Sequence, residues 1–120
     1  MTTPAADILT TDTCGKTCVV TILTPELNSH TAEELSTRLL TLLNESKTHR
    51  FVLDFAQVRY MESACFGALV NFLKWLARFD GKIAITNVNE NVRFLFAVTK
   101  LDKVFPLYPD VPSAISYVES

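Results

Sequence analysis

The chain is short of the features that announce several common functions. Its lysines and arginines nowhere run together and the net charge over 120 residues is −2, so no nucleic acid or anionic membrane surface is implied. No apolar run approaches the roughly 18 residues that cross a bilayer. The opening MTTPAADILT lacks the basic and apolar regions of a signal peptide, so a cytoplasmic protein without membrane insertion is expected. Cys14, Cys18 and Cys65 are odd in number and have no C-x-x-C spacing, which argues for reduced thiols and against a zinc site. Histidine is confined to His30 and His49, in polar stretches where solvation is expected. With no nucleophile–base pair or ligand cluster in view, no enzyme, catalytic residue, metal or cofactor is expected. Repeats, low-complexity tracts and linkers are absent too.

What is present describes a globular domain. Hydrophobic residues make up 48% and charged residues 20%, enough for a real core in one domain over 1–120. Ile8–Leu9 and Thr17–Leu23 read as strands, joined by a turn over Asp12–Lys16 in which Gly15 takes positive φ. Thr24-Pro25-Glu26 breaks the second strand. Leu35, Leu39, Leu42 and Leu43 mark a helix from about Thr31 to Asn44. Strands follow at Phe51–Phe55, at Ile83–Thr86 and, as an edge strand because of Pro106, at Val104–Tyr108. Further helices are read from about Ala64 to Phe79, from Asn89 to Val98 with Val92, Leu95 and Phe96 buried, and from Pro112 to Val118. The second of these four helices should end on Gly81 as a left-handed cap. The order β-β-α-β-α-β-α-β-α implies an α/β fold, a mixed sheet of about five strands with about four helices, its later strands parallel.

Function concentrates in Phe51–Leu73. A buried strand hands over, across Gln57 and Arg59, to Glu62-Ser63 at a helix start, where unpaired N–H groups point outward. Asp54 on that strand is expected to bond nearby backbone, since companion metal ligands are missing. Ser63 has two readings: a phosphoacceptor, or the helix N-cap, which the crowding of a phosphate by Glu62 favours. Cys65 reads as a lowered-pKa thiol or as a small packing residue, and the lack of an adjacent histidine favours packing. The helix is unusually apolar. Phe66, Leu69, Val70, Leu73, Leu76 and Ala77 make one stripe, and Cys65, Ala68, Phe72, Trp75 and Phe79 a second. Such an arc means either deep burial or a partner patch. Phe72, Trp75 and Phe79 are expected to form a second interface, for a heterologous partner or a homodimer.

At these residues the chain resembles a STAS domain, the fold of the anti-sigma-factor antagonists. Val52-Leu53-Asp54-Phe55 followed by Glu62-Ser63-Ala64-Cys65-Phe66-Gly67 resembles the family's strand and D-S-S-G-L-G helix start. Gly81–Val88, Asn91–Leu95 and Lys100–Phe105 resemble its later segments. The resemblance implies a binding module in a partner-switching system, docking an anti-sigma factor that is also a serine kinase. Its implied contacts are Asn28 and Ser29 with Glu62, Ser63, Ala64, Cys65 and Phe66. The kinase's usual target, the second serine of the signature, is matched by Ala64, the leading aspartate by Glu62, and the acid before the first helix by Asn28. A module unphosphorylated at that position is therefore implied, its output set by abundance or competition. The alternative is a STAS subunit of a larger assembly, such as a lipid-transport or secretion complex.

Overall fold

The computed structural model describes residues 7–120. The expectations placed on residues 1–6, the start of the domain and part of the leader reading, lie outside the described residues. In chain order the elements are β1 (Leu9–Cys14), β2 (Thr17–Ile22), β3 (Glu26–Leu27), α1 (Ser29–Glu45), β4 (Arg50–Asp54) and β5 (Tyr60–Met61). They continue with α2 (Ser63–Ala77), β6 (Lys82–Thr86), α3 (Glu90–Val98), a 3₁₀ turn at Leu101–Lys103, β7 (Leu107–Tyr108) and α4 (Val111–Glu119). The main sheet has five strands in the order β1-β2-β4-β6-β7, with β1 antiparallel to β2 and the rest parallel. It is the mixed α/β sheet expected.

Strand alternation divides the core. Val20, Ile22, Phe51, Leu53, Ile83 and Ile85 face α1, α2 and α3 and join the larger cluster with Leu35, Leu39, Leu69, Phe72 and Phe96. Val19, Val52 and Ala84 face the other way, onto Ala114 and Val118 of α4. Three helices thus cover one face of the sheet and one short helix the other. Basic side chains hold α4 at its C-terminal end, where free carbonyls attract cations. Arg50 Nε donates to Val118 O at 2.9 Å and Lys82 Nζ to Ser120 O at 3.0 Å. Glu119 Oε2 accepts from the Thr17 hydroxyl at 2.6 Å and from Lys16 N at 3.1 Å.

Several local expectations need correction. The first strand is not Ile8–Leu9 alone. It pairs residue by residue from Leu9 opposite Ile22 to Cys14 opposite Thr17, because the threonine-rich segment suits a ladder as well as a turn. The turn is then only Gly15-Lys16, with Gly15 at φ +61°. The second helix ends at Ala77, not Phe79, and it is Asp80 that takes positive φ (+55°). Gly81 answers a different need: a Cβ there would lie 2.2 Å from Leu76 Cδ1 and 2.6 Å from His49 O. Its role is close approach. The last strand is cut to Leu107–Tyr108 by the 3₁₀ turn before it. His49, expected in solvent, is half-buried and stacks on Phe79, ring centroids 4.5 Å apart.

Candidate functional site

Two strands of two residues each set the site. β3 and β5 pair in parallel, Glu26 opposite Tyr60 and Leu27 opposite Met61, and Glu62 N donates to Leu27 O at 2.7 Å. β3 leads through Asn28 into α1, and β5 through Glu62 into α2. The pairing therefore brings two helix N-termini to one rim, each with a first turn of N–H groups that its own helix cannot satisfy.

The first helix satisfies its own. Asn28 Oδ1 accepts from His30 N at 2.9 Å and Thr31 N at 3.2 Å, and Thr31 Oγ1 accepts from Asn28 N at 2.9 Å. This reciprocal pair is a capping box. Glu62 adds to it from the neighbouring helix, its Oε1 accepting from Ser29 N at 2.9 Å. That carboxylate is also well placed against the positive end of α1.

The second helix is left open. Glu62 stands at its N-cap position, but no side chain caps it, and only Cys65 N turns back, to Glu62 O at 3.0 Å. The reading of Ser63 as the N-cap is thus corrected. Ser63 is the first residue of α2, one position too late to cap it, and it and Ala64 are exposed. The result is an uncapped helix start, partially positive, that presents small side chains to solvent. A shallow groove of about 650 Å³ runs on from Ala64 between α1 and α2, past Ala32, Ser36, Gly67 and Asn71. A Cβ at Gly67 would meet nothing within 4 Å, so this glycine keeps the groove open rather than the core packed.

Of the expected contact residues, Asn28, Ser29, Glu62, Ser63 and Ala64 gather at this rim. Cys65 and Phe66 do not present side chains there, because helix periodicity turns both inward. Cys65 Sγ donates to Asn28 O at 3.3 Å, and burial pushes its thiol pKa up, which overturns the lowered-pKa reading. Phe66 packs edge-on against Phe96, centroids 5.0 Å apart. Asp54 behaves as expected: its Oδ1 accepts from Ala56 N at 2.9 Å and from Asn87 Nδ2 at 3.0 Å. Two residues gain roles here that the sequence reading did not assign. Thr31, read there as the start of a helix, is the partner of Asn28 in an N-x-x-T box, and Gly67, read there as the last glycine of the helix-start motif, keeps the groove open.

At the far end of α2 the aromatic stripe splits. Phe72 was expected at an interface, yet it is 1% exposed and packs edge-on against Phe51 at 5.2 Å. It is core. Ala77, expected in the core stripe, is exposed instead. Trp75 (41%) and Phe79 (46%) stay exposed, Trp75 under the Arg78 guanidinium at 4.6 Å.

Known proteins share this fold. The chain is 24% identical over 97 residues to the anti-sigma F factor antagonist of Paenibacillus polymyxa, covering 81% of this chain and 83% of that protein. It is 36% identical over 76 residues to the anti-sigma-B factor antagonist of Staphylococcus epidermidis, covering 63% and 69%. An anti-sigma factor antagonist from Mycobacterium paratuberculosis superposes with a TM-score of 0.83 at 23% identity, over 93% of each chain. A domain protein from Planctomyces limnophilus superposes at 0.84 and 18% identity, over 95% and 99%. The STAS domain family model matches residues 7–114, a span holding the sheet, the paired helix starts and the open end of α2, and by that match the chain belongs to the STAS domain family.

Proposed function

We propose that this chain is a non-catalytic, anti-sigma-factor-antagonist-like module that docks its partner on the rim formed by the starts of α1 and α2. The partner is an anti-sigma factor of the serine-kinase kind, and docking releases what that partner was sequestering. One observation carries the reading: the start of α2 is uncapped and open, beside a start of α1 that is fully satisfied. A partner's carboxylate or carbonyl groups can complete α2, while Ser29, Ser63, Ala64 and the groove at Gly67 give close backbone approach.

Ala64 fixes the regulation. It stands where the family's phosphoacceptor hydroxyl belongs and has none, so the module stays in its binding-competent form. Output then follows abundance or competition. The three thiols are all free, which suits a reducing, cytoplasmic setting. The test is intact-mass measurement after incubation with the cognate kinase and ATP. Unchanged mass with retained complex formation supports the proposal. Rapid gain of one phosphate, lost in Ser63→Ala, would overturn it and make Ser63 the regulated residue.

A further inference from the structure

At the opposite end of the strands from the rim, a cavity of about 840 Å³ opens between the β1–β2 hairpin and the C-terminal ends of α1 and α2. Thr11 and Thr13 of β1 form one wall, and Phe79 with its stacked His49 forms another. Lys16 and Lys47 also line it, both exposed, and among the described residues neither has an ion-pair partner. Arg50 and Lys82 add further positive charge, already engaged with α4 carbonyls. Against these stand the carboxylates of Glu45 and Asp80 in the lining and of Glu119 beside it, which accepts from Lys16 N at 3.1 Å. Positive side chains, four to three, still exceed negative ones here, on a chain whose net charge is −2.

Shape and charge together select the occupant. The site is concave, whereas a face that inserts into a bilayer must protrude, and its Phe79 ring is already covered on one side by His49. Among the described residues β1 is the edge of the sheet, so its outer N–H and C=O groups have no strand partner there and offer a ladder to an extended chain. We infer that this cavity docks an extended acidic segment of a partner protein. Its carboxylates meet Lys16 and Lys47, an apolar side chain rests on Phe79, and its main chain pairs along β1. α2 has 15 residues, about 22 Å at 1.5 Å each, and separates this cavity from the rim. Both can be occupied at once, and neither proposal depends on the other.

The test is selection of a random peptide library displayed on phage against the wild-type protein, then fluorescence anisotropy with the enriched peptides. Enrichment of sequences with several acids around an apolar residue is expected. Lys16→Glu with Lys47→Glu should weaken their binding by roughly ten-fold or more, about 1.4 kcal/mol, and Phe79→Ala several-fold. Ala64→Glu should leave it unchanged. All three sites are exposed or open to the cavity, and matching far-UV spectra will verify the folds. Failure to enrich, enrichment of basic peptides, or binding indifferent to the charge reversals would overturn the inference. So would sedimentation with phosphatidylserine vesicles that the same reversals abolish while peptide binding is absent.

Discussion

The starts of α1 and α2 lie side by side, descend from matched two-residue strands, and meet the same electrostatic problem with opposite results. α1 recruits Asn28, Thr31 and, from across the gap, Glu62. α2 recruits none, because the carboxylate at its own N-cap position has been lent to α1. The end that is finished contributes stability. The end left unfinished contributes binding, since an unsatisfied N–H group in water costs little and is free to meet a partner. Two chemically similar segments are thus separated into scaffold and site by where one side chain points.

The largest effect that should separate the two ends is on binding. Ala64→Glu puts charge in the first turn of α2, where the dipole tolerates it, so the melting temperature should hold. Affinity for the partner should fall ten-fold or more, about 1.4 kcal/mol, by calorimetric titration. Equal affinity would move the interface elsewhere. Next comes the finished end. Asn28→Ala removes the cap of α1 and should cost about 1 kcal/mol in urea unfolding, with partner affinity changed less than by Ala64→Glu. Loss of binding without loss of stability would reverse the roles assigned here.

Gly67→Ala should sharpen the contrast with the opposite sign. With open space around it, alanine should stabilise α2 by roughly 0.8 kcal/mol. The same methyl group, in the groove beside Ala64, should weaken docking several-fold, read in the same titration. A gain in stability with no cost in affinity would show that the partner does not enter the groove.

The smallest effect concerns a third helix start, that of α4. The Asp110 carboxyl is held below its ordinary value of 3.8, chiefly by the Ser113 N–H and then by its hydroxyl. Glu119, at the other end of α4, is held below 4.5, mainly by the Thr17 hydroxyl. A depressed carboxylate stabilises the fold above its unfolded value and loses that contribution as pH falls through its folded value. Melting temperature should therefore decline with acid below about pH 4.5, the higher of the two ordinary values. Asp110→Asn, which keeps a cap but cannot titrate, should flatten part of that decline.

How much of this was legible in the sequence depends on the range of the cause. Leu35, Leu39 and Leu43 announce α1 by period alone, and the parallel order of β4 and β6 follows from alternation with helices. β3 and β5 escaped because two residues carry no period, yet they position the whole rim. Ser63 was misread because the N-cap falls one residue earlier, and that residue bonds across to Ser29, a contact no local pattern encodes. Phe72 and Trp75 look alike in sequence. Three residues turn a helix by roughly 300°, enough to put the boundary of the core between them. Phe79 lies beyond the end of α2, where a helical wheel no longer applies.

The loan of Glu62 to Ser29 also ties two clocks together. An amide at a helix start ordinarily exchanges its hydrogen as its own helix frays. Here the amide of Ser29 is released only when a side chain rooted before α2 lets go. A partner that grips the start of α2 restrains that root, so its arrival should slow deuterium uptake at the Ser29 amide through the Glu62 side chain. The α1 amide then becomes a reporter of occupancy on α2.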